Sequence, residues 1–266
     1  MLTILVIGDV VGRAGRGAVA QIIPQLQAEF APDLIIANAE NVAHGKGITR
    51  DTLKDLRDAG VGFFTSGNHV WSKPEAITLL TEEPTILLRP ANFPDGAPGV
   101  GAKLLSIAEK SILVINLMGR VFMKEHLDCP FRTFDAILAQ YQDNRPDAII
   151  VDFHAETTSE KNAFGLYADG KVSAVLGTHT HIPTADDRVL PGGTAYITDI
   201  GMVGVRDSVI GVERESIITN LMTQLPAKHQ VAEHGLTVFN AVLLRIDEAT
   251  GHAVEITRIQ REVMVP

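Results

Sequence analysis

The sequence predicts one α/β domain over residues 1–266, in which parallel and antiparallel strands mix. Three observations predict it. Short apolar runs alternate with amphipathic stretches through the first two-thirds of the chain, as βα units require. Toward the C-terminus the apolar runs come in pairs around turn residues, which calls for antiparallel partners. No repeat, low-complexity tract or linker divides the chain.

Taken in order, Leu2–Ile7 reads as a buried strand that stops at Gly8-Asp9. Gly17–Phe30 has helical periodicity, with Pro24 expected to kink the helix or delay its start, because proline brings no amide hydrogen to the ladder. Leu34–Ala37 is a second buried strand and is followed by Asn38-Ala39-Glu40-Asn41. Thr49–Ala59 is helical, with Thr49 or Asp51 as its cap. Val61–Thr65 is a strand ending at Ser66-Gly67-Asn68-His69, and Pro74–Leu80 is a short helix. Asn92–Gly101, rich in glycine and proline, is a loop before the strand pair Leu104–Ile107 and Ile112–Leu117. Phe131–Tyr141 is helical. Ala148–Asp152 is a strand running into His154, and Val172–Leu176 runs into Gly177-Thr178-His179-Thr180-His181. Arg188–Ile197 forms a hairpin around Pro191-Gly192-Gly193, and Leu236–Ile246 with Ala253–Ile259 closes the domain.

Composition narrows the function. The chain has 32 acidic and 23 basic side chains, a formal net charge of -9, and is 45% hydrophobic and 21% charged. Such a balance is globular and excludes disorder or a disulfide scaffold. One cysteine, Cys129, cannot pair within the chain and fits a reducing, cytoplasmic compartment. The N-terminal run lacks a basic leader and a cleavage site, and no run nears the roughly 20 apolar residues that cross a bilayer, so no membrane partner is expected. The acidic excess disfavours an extended nucleic-acid partner. A small phosphorylated substrate stays compatible, since a bound metal supplies positive charge.

The informative residues stand where apolar strands stop: Asp9, Glu40-Asn41, Asn68-His69, His154 and His179/His181. In α/β folds the carboxyl ends of strands share a rim where ligands collect. Singly, each has an ordinary reading as a turn, a cap or a structural histidine. Together they mix carboxylate, amide and imidazole donors, a set suited to Fe, Mn, Zn or Co and too rich in histidine for calcium. The candidates exceed the four ligands of a single tetrahedral zinc, so two ions sharing a carboxylate fit better.

At these residues the sequence resembles the calcineurin-like metallophosphoesterases, and within them the bacterial YmdB-like phosphoesterases. Gly8-Asp9-Val10-Val11-Gly12, Asn38–Asn41, Gly67–Trp71, Phe153–Glu156 and Gly177–His181 carry the resemblance, with Thr198–Met202 beside them. It departs from the wider superfamily at Val11, where a histidine is usual, and at Glu40, where an aspartate is usual. The resemblance implies a four-layer αββα sandwich with mixed sheets. It implies that one metal takes Asp9, Asn41 and His181, that the other takes Asn68, His154 and His179, and that Glu40 bridges them. It also implies iron as the metal, with manganese or zinc possible, and attack on phosphorus by a metal-bound hydroxide with His69 as general acid. The implied activity is hydrolysis of small phosphodiesters, 2′,3′- and 3′,5′-cyclic nucleotides among them, by a cytoplasmic homo-oligomer.

The remaining candidates weigh less. Arg13 and Arg16 could meet a phosphate or simply flank a helix, and His44 sits in a glycine-bearing loop. Trp71 is expected to pack, Asp152 to stand behind His154, and Cys129 to be a structural thiol. His126, His229, His234 and His252 are expected at the surface. A metal-bound regulatory or scaffold protein with incidental hydrolysis is the alternative function.

Overall fold

A computed structural model describes residues 1–82, 84–107 and 109–266. The strand β1 (Leu2–Val10) leads through the helix α1 (Gly12–Phe30), β2 (Leu34–Asn38), α2 (Arg50–Asp58), β3 (Phe63–Thr65) and α3 (Glu75–Thr81). Next come β4 (Ala102–Ile107), β5 (Lys110–Met118), α4 (Pro130–Ala139), β6 (Ala148–His154), α5 (Thr158–Ala168) and β7 (Ala174–Thr178). The short β8 (Arg188–Val189) and β9 (Ala195–Ile197) precede β10 (Met202–Val205), α6 (Arg214–Thr223), β11 (Gly235–Ile246) and β12 (Ala253–Val265).

Among the described residues the strands form two six-stranded mixed sheets, ordered β12-β11-β10-β1-β2-β3 and β4-β5-β6-β7-β9-β8. Side-chain alternation along each strand assigns three apolar layers. Leu2, Ile4 and Val6 of β1 meet Ile112, Val114, Ala148 and Ile150 of the other sheet. Leu5 and Ile7 instead meet Val19, Ile22 and Ile23 of α1 and Leu53 and Leu56 of α2. On the far side Ile149, Val151 and Phe153 of β6 pack under Phe134 of α4 and Phe164 of α5. Helices, sheet, sheet and helices are the four layers expected.

One irregularity in this alternation builds the site. Ile7 pairs with Ala37 of β2, but Asp9 pairs with Asn38, so β1 holds one extra residue between them. Such a bulge flips the side of every later residue. Val10 therefore joins Leu5 and Ile7 in the helix-facing core, and Asp9 turns toward the space between the sheets. Gly8 occupies the bulge because a Cβ there would lie 1.8 Å from the Gly201 carbonyl oxygen.

Four elements differ from expectation, the first being β10, since no strand was expected between Ile197 and Leu236. α1 begins at Gly12 rather than Gly17 and runs through Pro24. Its first turn packs so closely that a Cβ on Gly15 would lie 2.5 Å from the Val203 carbonyl oxygen, so poor helix formers are required there. Pro24 lies on the exposed side, where the carbonyl it leaves unbonded, that of the exposed Ala20, can meet water. Helix α5 was not anticipated because the stripe Lys161, Phe164, Gly165, Ala168 contains a lysine, yet all four are buried. Helix α6 buries none of its residues and so carries no core-facing periodicity. No helix among the described residues is long and apolar enough to cross a membrane.

Candidate metal centre

Alternation delivers polar side chains from both sheets to one inter-sheet rim. On β6, Ala148 and Ile150 face the opposite sheet, so Asp152 and His154 do as well. On β2, β3 and β7 the same parity places Asn38, Thr65 and Thr178 there. Asp9 arrives through the bulge. The connections after β2, β3 and β7 then bring in Glu40-Asn41, Asn68-His69 and His179–His181.

Nε2 of His154 sits at the centre of one donor group, 3.0 Å from Asn68 Oδ1, 3.1 Å from His179 Nδ1 and 3.3 Å from Glu40 Oε2. These separations match the edges of a coordination shell, where bonds of about 2.1 Å at 90–109° place donors roughly 3.0–3.4 Å apart. Among the described residues, Glu40, His154 and His179 form one group able to hold a metal, and Asp9, Glu40 and His181 form another. Glu40 belongs to both. Asp9 Oδ1 and Asn41 Oδ1 are buried without a hydrogen-bond partner among the described residues, as oxygens awaiting a cation would be. Gly67 leaves the necessary room, because a Cβ there would lie 2.3 Å from His154 Nε2 and 2.4 Å from Glu40 Oε2. The residues present therefore fit a pair of metal ions in chemistry and spacing.

Partners behind the donors fix which atom each presents. The Thr178 hydroxyl donates to Asp152 Oδ1 at 2.6 Å, so its lone pair accepts from His154 Nδ1 at 2.9 Å and leaves Nε2 facing the centre. Asp152 also receives Asn38 Nδ2 at 3.0 Å and the Thr65 hydroxyl. His179 Nε2 donates to Glu156 Oε2 at 2.9 Å, which frees Nδ1. His181 Nδ1 donates to the Ile210 carbonyl at 2.8 Å, which frees Nε2. Asn41 Nδ2 donates to the Gly45 carbonyl at 2.9 Å and so turns its oxygen inward. Glu40 Oε2 receives the His69 amide at 3.0 Å.

Electrostatics follow from this crowding. Burial pushes Asp9 up to about 6, although His181 and His154 work against it. Burial acts the same way on Glu40, but His154 overrides it and holds the carboxyl at about 2. Burial would drive His154 down, yet Glu40, Asp9 and Asp152 raise it to about 9. His179, desolvated and beside His154, falls to about 3. The cluster of carboxylates thus demands positive charge, which in the protein alone a proton on His154 provides.

Asp9, Glu40, Asn68, His154, His179 and His181 are brought together at this rim, Asn41 follows Glu40 with its oxygen buried, and the half-buried His69 stands beside Asn68. Arg16 is turned away, bonded to Asp55 at 2.9 Å and to the Val42 carbonyl, while Arg13 is exposed. His44 is exposed and 3.4 Å from Glu233. Trp71 packs edge-on to Phe93 with centroids 5.5 Å apart. The Asn92–Gly101 loop is anchored by Asn92, whose amide donates to the Met118 carbonyl at 2.8 Å. His126, His229 and His234 are exposed, whereas His252 is half-buried. Glu156, Thr178 and the Ile210 carbonyl were not assigned from sequence. For Glu156 the signal was present: an acid two residues beyond a histidine at a strand end.

Comparison with known proteins shows what the chain is similar to. A family model described as YmdB-like protein matches residues 5–259. A Bacillus subtilis protein named 2′,3′-cyclic-nucleotide 2′-phosphodiesterase is 47% identical over 97% of this chain and 96% of its own length. A crystal structure of a hypothetical protein from Thermus thermophilus superposes with a TM-score of 0.91 at 41% identity, covering 98% of this chain and 99% of that one. Another, described as a novel phosphatase from Mycoplasma pneumoniae, gives 0.92 at 35% identity, covering 100% and 95%. With a family match along nearly all of its length and a relative 47% identical over 97% of it, the chain belongs to the YmdB-like family of calcineurin-like metallophosphoesterases.

Proposed function

We propose that this protein is a metal-dependent phosphoric diester hydrolase acting on small cyclic nucleotides, 2′,3′-cyclic before 3′,5′-cyclic. One observation carries the reading: two donor groups meet at a single carboxylate, Glu40. The name of the Bacillus subtilis relative supports the substrate class. Asp9, Asn41 and His181 would hold one ion, Asn68, His154 and His179 would hold the other, and Glu40 would serve both, its charge reducing their repulsion. Iron is the expected metal, with manganese or zinc as substitutes. Bound there, the ions supply positive charge to the phosphate oxygens and lower the pKa of water.

The chain's own groups do the rest. His69, next to Asn68 with its backbone tied to Glu40 and its ring outside both donor groups, would give a proton to the leaving oxygen. Burial holds the His69 imidazole below its usual value, and an arriving phosphodiester anion opposes that shift. Thr178, Glu156 and the Ile210 carbonyl keep the histidines facing the centre. The test is a substrate panel on iron- or manganese-loaded protein, before and after chelation. Hydrolysis of 2′,3′-cyclic nucleotides that chelation abolishes is expected. Full activity in the chelated protein, or no activity on any diester when loaded, would overturn the reading.

A further inference from the structure

The turn that presents two of the histidines has an improbable backbone. His179 has φ 98 and His181 has φ 67, both in the left-handed region that side chains with a Cβ seldom occupy. Two such residues flanking one another across Thr180 would relax unless something held the turn. Thr180, the residue between them, is held on two sides by one carboxylate: Asp199 Oδ2 accepts its amide at 3.1 Å and its hydroxyl at 2.7 Å. The other oxygen, Oδ1, accepts the Gly201 amide at 2.8 Å.

Asp199 is fully buried, and a buried carboxylate needs a counter-charge. Lys161 supplies it. Its ammonium lies 2.6 Å from Asp199 Oδ2, and the side chain is 1% exposed. The lysine comes from the first turns of α5 and passes under Gly177, where a Cβ would lie 3.2 Å from Lys161 Cδ and 1.7 Å from the Thr198 carbonyl oxygen. The same helix start carries Glu156 just before it, bonded to His179 from the outer side. The histidine turn is therefore clamped from below by Lys161 through Asp199 and from outside by Glu156.

We infer that the buried Lys161–Asp199 ion pair is a positioning device that holds His179-Thr180-His181 in its left-handed conformation and so aims two imidazoles at the carboxylates. Neither residue belongs to a donor group: Asp199 acts through Thr180 and, on its other oxygen, Gly201, and Lys161 acts through Asp199. The inference rests on His179 and His181 being metal ligands, and the experiment separates the two claims.

Co²⁺ is titrated into the metal-depleted full chain, with affinity, visible spectrum and thermal midpoint recorded. The variants are Thr180→Ala, Lys161→Met, the neutralised double variant Lys161→Met/Asp199→Asn, and His181→Ala. Thr180 is partly exposed, so its variant folds. Thr180→Ala and the double variant are expected to lose about 10- to 100-fold in Co²⁺ affinity with a changed spectrum, the range for residues that orient a ligand. The double variant should recover thermal stability relative to Lys161→Met, because no charge is left buried alone, without recovering Co²⁺ affinity. Affinity that recovers together with stability, or wild-type binding and spectrum in Thr180→Ala, would overturn the positioning role. Wild-type binding by His181→Ala would overturn the metal assignment and the positioning role with it.

Discussion

Oε2 of Glu40 lies 3.3 Å from Nε2 of His154, and the same carboxylate also groups with Asp9 and His181 on its other side. A side chain in that position cannot be neutralised without affecting both groups. Glu40→Gln keeps the shape and the His69 amide contact but removes the charge that the two proposed cations would share. Elemental analysis should find metal content reduced at both sites, and cyclic-nucleotide turnover should fall at least about 100-fold, beyond the usual effect of residues that only orient a ligand. Full metal content with full turnover would show that Glu40 bridges nothing.

His69 makes the opposite prediction. Its ring belongs to neither donor group, so His69→Ala should keep the metals and lose turnover by about 10²–10⁴, the span of general acid–base catalysis. Substrates with a good leaving group, which need no proton, should be affected far less. An equal loss on both kinds of substrate would remove His69 from the acid role. The variant also tests the purely regulatory alternative: failure to rescue a deletion phenotype ties the function to hydrolysis, and rescue as good as the native protein's makes hydrolysis incidental.

Gly67 is the tightest packing constraint among the ligand loops. The methyl of Gly67→Ala would stand 2.3 Å from His154 Nε2 and 2.4 Å from Glu40 Oε2, closer than such contacts allow. Since Gly67 lies in a connection rather than a strand, the sheets can stay intact while the donors are pushed apart. The expected outcome is a native circular dichroism spectrum with metal affinity at least about tenfold weaker. Unchanged affinity would mean the donors tolerate a spacing unlike the one described.

Periodicity was a good guide where a strand packs on one core and a poor one where polar groups replace apolar ones. The candidate ligand residues stood out because each ends a legible apolar run, and the strands of both sheets except β10 follow from those runs. The bulge at Gly8 was not legible: nothing in Ile7-Gly8-Asp9 tells an extra residue from a regular one, yet it decides which way Asp9 points. Helix α5 was hidden by Lys161, whose charge interrupts an otherwise regular stripe, and Lys161 is tolerated there only because Asp199 arrives from a segment 38 residues later. The start of α1 was hidden by Gly12 and Gly15, of which Gly15 is required by close packing against β10. Long-range pairing, not local preference, made these choices.

Metal uptake should be coupled to protons, with a sign the site dictates. In the metal-depleted protein His154 titrates at about 9, because Glu40, Asp9 and Asp152 outweigh its burial. Its folded value lies above the unfolded value of about 6.5, so its stabilising contribution is complete below that pH and is lost as pH rises through 9. Asp9, lifted to about 6 by burial, keeps its proton in a range where an unfolded aspartate has already lost it, so its contribution fades between about pH 4 and 6. A metal can take Nε2 of His154 only when that proton leaves. Metal affinity should therefore rise between pH 6 and 9, while the thermal midpoint of the metal-depleted protein falls over pH 6.5 to 9 and that of the loaded protein stays nearly level. Titration calorimetry in two buffers of different ionisation enthalpy reads the released protons directly. Affinity that is flat across this interval, with no proton released, would mean that His154 meets the metal already neutral and that the carboxylates around it do not hold its charge.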